Sequence, residues 1–490
     1  MPYSGSCRGA GRCADGDMPR PWQIRKLVEK RIMEQRENFG SRLGFLLVSA
    51  GCAIGIGNVW RFPFITGQYG GAAFVLLYLF FLVILGWPVM TMEFAVGRGS
   101  GKSVSRGLEI LSAGNGKKRW GWFKWFCIAG NYILMMYYTT VAGWMLSYVV
   151  KMAGGMFDGM EVGGAAKIFT DSLASPSQQL IWMLVVIAIG FLVCARGVQN
   201  GVEKITKPMM LALFGLMLVL AARSVTLKGA GDGLAFYLIP DFKRAMDQGI
   251  WDVIFAAMGQ AFFTLSLGIG SIAIFGSYIG RDRSLPGESR TVIILDTFVA
   301  IMAGLIIFPS CFAYGVTPDA GPSLIFITLP EVFARMAGGR IWGTIFFVFM
   351  CFASLSTVIA VFENIIAMIM DAANWSRGKS VAVNAVILTL LSIPCPLGYN
   401  LLSNIQPLGA GSTILDFEDF IVSNNLLPIG SLVFVLFCST RFGWGFDGFL
   451  EEANSGKGAK FNSGLQFYFR WVLPLIILVI LVGGYINFFR

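Results

Sequence analysis

The chain is 490 residues long, 56% hydrophobic and 13% charged, with a net charge of +10. A soluble domain carries about 45–50% apolar and 25% charged residues, so this composition, with a mean hydropathy of +0.68, excludes a soluble multidomain protein and describes an all-α polytopic membrane protein. The chain has no histidine and its cysteines form no CxxC, which sets aside metalloenzyme and redox classes, and its basic residues are not interleaved with aromatics on a soluble face, so no nucleic-acid partner is expected.

Residues 1–40 are polar and basic, with Arg20, Arg25, Lys26, Lys30, Arg31 and Arg36. They lack the apolar core and cleavage site of a signal peptide. They are expected to form a cytoplasmic tail whose beginning is disordered, and Met18 and Met33 are alternative starts. Beyond the tail, a criterion of about 20 apolar residues per crossing predicts eleven transmembrane helices. They cover 42–68, 73–97, 120–150, 178–195, 202–222, 251–279, 288–313, 340–371, 380–394, 415–439 and 467–487. Between the seventh and eighth, residues 318–338 combine Pro318 and Pro322 with an apolar run interrupted by Glu331 and Arg335. The charges argue against a crossing, and a helical lid in the outer loop is expected.

Loop charge sets the orientation. With the N-terminus inside, the inner loops hold Arg98, Lys102 and Arg106 to Arg119, then Arg196, Lys204 and Lys207, then Arg281, Arg283 and Arg290, then Arg377 and Lys379. The last inner loop holds Arg441, Lys457, Lys460 and Arg470, whereas the outer loop at 395–414 has no Lys or Arg. The positive-inside rule is obeyed, with a cytoplasmic N-terminus in the inner (plasma) membrane. Residues 41–222 and 251–440 then form two five-helix repeats of opposite topology, a 5+5 inverted repeat, and 467–487 is an extra helix.

Two spans are interrupted. Gly51-Cys-Ala-Ile-Gly-Ile-Gly-Asn58 breaks the first, and Ser266-Leu-Gly-Ile-Gly-Ser271 breaks the sixth. Each glycine costs about 1 kcal/mol against alanine in a helix interior. In hydrocarbon every freed N–H and C=O also needs a partner, so such a break persists only where the backbone is buried in protein or lines a cavity. Paired glycine-interrupted segments in corresponding halves are the sequence mark of a secondary transporter's binding site. Half-helix N-termini suit a carboxylate and C-termini a cation, so a zwitterionic amino acid with a sodium ion fits both ends. The competing reading is a pair of packing kinks.

Asn58, Thr264, Asp296, Ser356 and Thr357 stand in apolar surroundings. A mid-membrane carboxylate such as Asp296 costs at least about 2.5–3.5 kcal/mol and is by default functional and partnered. With no histidine and few basic residues near it, a bound cation is the expected partner, and hard cations take oxygen ligands of the kind these residues supply. Singly, the hydroxyl and amide residues also fit ordinary interhelical hydrogen bonding. Arg61 with Asp419, and Arg36 with Asp371, flank the centre as candidate gate pairs; a solvated interfacial charge is the competing reading for Arg36.

These residues carry a resemblance. Residues 41–64, SRLGFLLVSAGCAIGIGNVWRFPF, and 260–270, QAFFTLSLGIG, resemble the first and sixth spans of the neurotransmitter:sodium symporters, and the likeness runs from residue 36 to the end. That family exemplifies the broken-helix transporter fold. The resemblance implies two sodium ions as co-substrates. One is held by the carbonyl of Ala53 with Asn58, Thr264 and Asp296. The other is held by the carbonyls of Gly51, Ile54 and Ala353 with the hydroxyls of Ser356 and Thr357. It further implies a substrate site at Ala53, Gly55, Gly57, Tyr138, Phe263, Thr264, Ser266 and Thr357, with Leu134, Val141, Ile269 and Val361 along the side-chain pocket. Arg61 and Asp419 match the outer gate; Arg36, Tyr278 and Asp371 match the inner one. Transport by alternating access follows from the same likeness.

Two departures refine the expectation. Amine transporters of the family carry Asp at the position of Gly55, so glycine leaves room for a substrate carboxylate. Chloride-dependent members bind chloride near residues matching Tyr78, Gln260 and Thr264, with Asn at the position of Asp296; a fixed carboxylate here argues for chloride independence. The short N-terminus and eleven spans resemble the prokaryotic branch, and apolar Ile269 favours a hydrophobic or aromatic amino acid. A monomer or dimer in lipid is expected. The alternatives are a proton-coupled amino-acid permease with Asp296 as the proton carrier, or a sensor that binds amino acid without moving it. An enzyme fits poorly, since no nucleophile–base pair, metal cluster or phosphate loop is present.

Overall fold

The computed structural model describes residues 39–113, 120–161, 163–316 and 323–488. The tail with Arg36, and Pro318 and Pro322 of the expected lid, lie outside the described residues.

The first span begins at Ser41, whose hydroxyl accepts the Gly44 N–H at 3.0 Å and so caps α1 (Arg42–Ala53). It stops where the glycines begin. The chain resumes as α2 (Gly57–Gln68), bent 55° from α1. Then come α3 (Ala72–Ser100), α4 (Phe123–Ala153), α5 (Pro176–Ala195) and α6 (Val198–Val225). The expected sixth span is two pieces, α7 (Ile250–Thr264) and α8 (Ser271–Gly276). The rest are α9 (Leu285–Ala313), α10 (Gly339–Ala373), α11 (Arg377–Leu397), α12 (Ile414–Ser439) and α13 (Ser463–Ile486). Caps follow the sequence: prolines open α5 and α9, and Thr413 and Asp416 form a reciprocal capping box at α12.

Every expected span is helical, with ends within about a turn of those expected. Length and hydropathy give nine crossing helices among the described residues, or ten if the bent α1–α2 pair is one span. The expected sixth escapes that count because its break leaves α7 only 15 residues long. The lid region is helical over Leu324–Arg335. It is packed down rather than lying free: the Phe326 ring stacks on Phe169, with centroids 5.1 Å apart, and the Phe326 carbonyl accepts the Tyr148 hydroxyl at 3.0 Å.

Burial separates inner helices from outer ones. The most apolar stretches of α4 and α10 are 72% and 78% buried, against 33% for α6, α11 and α13. A helix that is apolar all round yet mostly covered lies inside a bundle, whereas the outer helices present Val219, Leu390 or Leu475 to the hydrocarbon. At one end of the bundle, Arg98 of α3 donates to Glu452 at 2.7 Å and to the carbonyl of Arg283 at 2.6 Å, while Arg281 reaches the same glutamate at 2.8 Å. This ties α3 to the α8–α9 and α12–α13 connections.

Candidate functional site

The two breaks lie where the covered helices converge. In α1 the helical ladder ends at Ile54, whose N–H still reaches Ala50. The next groups find side chains instead. Gly55 N–H donates to Asn58 Oδ1 at 3.2 Å and Ile56 N–H to the Tyr138 hydroxyl at 3.1 Å. The carbonyls left free at the α1 end face α10. Thr357 donates toward Gly51 O at 3.1 Å and Ile54 O at 3.2 Å, and lies 3.4 Å from Ala353 O. Ser356 lies 2.8 Å from Ala353 O and 3.5 Å from Ile54 O. The five oxygen donors expected for one cation are thus gathered in a buried cluster.

Three side chains of the other expected cation cluster are also brought together. Asn58 donates to the Asp296 carboxylate at 2.8 Å and to its carbonyl at 3.1 Å, and Thr264 donates to the second carboxylate oxygen at 3.1 Å. All three side chains are fully buried, and no basic residue pairs with Asp296 among the described residues. Tyr78 lies beside Thr264 and Asp296. Gln260 donates to Gly57 O at 3.0 Å, and its Oε1 is buried without a partner. Oxygen-only clusters such as these suit hard cations rather than transition metals.

At the breaks lies a cavity of about 20 Å³, bounded by Ala53, Gly55, Gly57, Leu134, Tyr138, Phe263, Ser266 and Thr357 among others. Gly55 is under the tightest constraint: a Cβ there would strike the Tyr138 hydroxyl and come within 2.6 Å of Thr357 Oγ1. Of the expected side-chain pocket, Leu134 lines this cavity and Val141 lines a wider one above it. Ile269 and Val361 are buried without reaching either wall.

Tyr138 and Phe263 line both the central cavity and the wider one, which is about 290 Å³ and also holds Arg61, Tyr137, Asp416 and Asp419. They form the partition between the two. The Arg61 guanidinium lies over the Phe263 ring, 4.1 Å from its centroid, a cation–π contact. Asp419 accepts from Tyr137 at 3.0 Å and Ser423 at 2.8 Å. The expected outer pair therefore shares a cavity, with no ion pair between its members among the described residues. On the opposite side, Asp371 accepts the Ser103 N–H and hydroxyl at 2.8 and 2.7 Å, and Tyr278 donates to Glu363 at 3.0 Å. Arg36 is outside the described residues.

The model of the sodium:neurotransmitter symporter family matches residues 36–156 and 165–490. The chain belongs to this family. The uncharacterized sodium-dependent transporter YhdH of Bacillus subtilis is 33% identical over 451 residues, covering 91% of this chain and 97% of that protein. The sodium-dependent serotonin transporter of Drosophila melanogaster is 25% identical over 94% of this chain. Among solved structures, MhsT in complex with L-phenylalanine superposes with a TM-score of 0.82 at 35% identity, covering 92% of this chain and all of that one. As a member of the sodium:neurotransmitter symporter family, the chain is a multi-pass membrane protein that transports and depends on sodium, and it is not an enzyme.

Several residues of this symporter's site escape the sequence reading. Glu363, fully buried on α10, is held by Arg377 through two bonds of 2.7 and 2.8 Å as well as by Tyr278. Its signal was available, a carboxylate within an apolar run like that of Asp296, but Arg377 is distant from it along the helix surface until α11 folds back. Glu93 of α3 accepts the Gly268 N–H at 2.5 Å, and Asn131 of α4 donates to Ile269 O at 2.8 Å. Both hold the second break, and no local pattern reveals a side chain that serves a distant backbone.

Proposed function

We propose that the protein imports an amino acid together with two sodium ions by alternating access, without needing chloride. The observation that carries this reading is the pair of buried oxygen clusters, each drawing on residues at the helix breaks whose glycines line one small cavity. The fixed Asp296 carboxylate, beside Tyr78 and Thr264, supplies the negative charge that a chloride ion would otherwise bring. Gly55 leaves no room for an aspartate to meet an amine, since a Cβ there would meet the Tyr138 hydroxyl, and the α2 end carries the partial positive charge that suits a carboxylate. The structural neighbour MhsT is described with L-phenylalanine bound, which supports a hydrophobic or aromatic substrate. The central cavity is smaller than an amino acid, so Phe263 and Tyr138 must move for one to enter. The N-terminus faces the cytoplasm in the inner membrane, and the two five-helix repeats rock about the site.

Uptake into proteoliposomes tests the whole proposal. Replacing sodium by choline at fixed pH should abolish accumulation, and replacing chloride by gluconate should leave it unchanged. Accumulation that persists in choline and follows a pH gradient would favour the proton-coupled reading. Sodium-dependent binding with no accumulation would favour a sensor.

A further inference from the structure

The central cavity has one more wall. Besides residues of the two breaks, α4 and α10, it is lined by Val422 and Leu427 of α12. Both are buried, at 0% and 2% exposure. Of the residues expected along the side-chain pocket, only Leu134 reaches this cavity. Apart from Ala53 and Ile56 at the first break, its aliphatic lining is therefore Leu134, Val422 and Leu427, and α12 supplies most of it.

Val422 and Leu427 are five residues apart, a spacing that on a regular α-helix turns side chains about 140° from each other. The helix is not regular here. Over Ile421–Leu426 its backbone widens, so that the Leu427 N–H donates to Val422 O, five residues back rather than four. A bond of that span stacks the two residues one above the other, and both side chains reach the cavity from one side of α12. The sequence explains the widening. Pro428 follows at once; it has no N–H for the Asn424 carbonyl, and its ring crowds that carbonyl in a regular helix. The Asn425 amide donates to Phe420 O at 3.2 Å, and the Ser423 hydroxyl to Asp419 at 2.8 Å, so side chains of the same turn bind its start. The Leu427 backbone is packed directly on the second break, where a Cβ on Gly268 would strike its carbonyl.

We propose that Val422 and Leu427 touch the side chain of the transported amino acid and determine which amino acids are accepted. The inference rests on the proposal that the substrate is an amino acid. The breaks offer polar groups to its two ends, whereas α12 offers two aliphatic side chains and, at their level, a backbone bonded to itself. Such a wall takes an apolar substrate side chain, and its fit depends on volume. One methylene in an apolar pocket is worth roughly 10–200-fold in discrimination.

The test is sodium-dependent binding of the common amino acids to purified wild type and to Val422→Ala, Leu427→Ala and Val422→Ile. Val435→Ala is the control: Val435 is equally buried on the same helix but lines neither cavity, so its truncation reports what loosening α12 does by itself. Thermal unfolding without substrate shows which variants fold. The quantity read is the ratio of affinities for the largest and the smallest amino acid that the wild type binds. The alanine variants should shift it toward the larger by at least about tenfold, and Val422→Ile toward the smaller by at least about tenfold. Val435→Ala should keep the wild-type ratio. If the alanine variants do not fold, Val422→Ile decides alone, since it adds only one methylene. Unchanged ratios in the folded variants, or the same shift in Val435→Ala, overturn the inference and leave the amino-acid reading standing. A wild type that binds none of the common amino acids in sodium overturns both.

Discussion

Asp296 is the side chain proposed to govern ion selectivity. It has no basic partner among the described residues, and Asn58 and Thr264 orient both of its oxygens. Asp296→Asn keeps the shape and removes the charge, so uptake should weaken and become responsive to chloride. Sodium-driven uptake in chloride and in gluconate measures this, and unchanged, chloride-insensitive uptake counts against the role. Thr357 is as exposed to test. Its hydroxyl touches three carbonyls, and Thr357→Val removes it at nearly constant volume. Leaving buried polar groups unmatched costs about 1–3 kcal/mol, so the sodium concentration needed for thermal stabilisation should rise by roughly 5- to 150-fold. These residues were legible beforehand because a polar group in an apolar run is costly wherever it lies. Asn131 was not, since an asparagine in a helix reads equally well as ordinary interhelical bonding until its partner is seen.

The two broken rods are the elements that matter most, and they were legible for a related reason. Glycine clusters in hydrocarbon disclose themselves by the backbone groups they strand, and both breaks fall at the expected residues. Gly268 shows why the residue type is fixed: it has a φ of +97°, a region alanine avoids, and a Cβ there would come within 2.9 Å of Ser431 N. Gly268→Ala should therefore prevent sodium-dependent binding even where the protein still folds; normal binding affinity in that variant would contradict it. The link between α10 and α11 was hidden, because Glu363 and Arg377 meet only when α11 returns. Arg377→Met strands a fully buried carboxylate, an effect of about 3–5 kcal/mol. A lower unfolding temperature is expected for it, largely recovered when Glu363→Leu is added; an unchanged temperature for Arg377→Met would show the pair to be solvated.

At the scale of the molecule, the energy available decides how many ions are needed. A tenfold sodium gradient supplies about 1.4 kcal/mol per ion and 100 mV about 2.3 kcal/mol. Two ions therefore support roughly 10⁵-fold accumulation, and one only about 10²–10³-fold. Two oxygen clusters fit a scavenger of dilute amino acids. The overall architecture could be read from hydropathy because lipid demands long apolar helices. The division into covered and lipid-facing helices could not, since α4, α10 and their outer neighbours are all apolar and only packing tells them apart. The most direct measurement is thermal stabilisation of the purified protein by each of the common amino acids, in sodium and in choline. The account predicts stabilisation by a hydrophobic or aromatic amino acid in sodium alone. Stabilisation indifferent to sodium, or none by any amino acid, would contradict it.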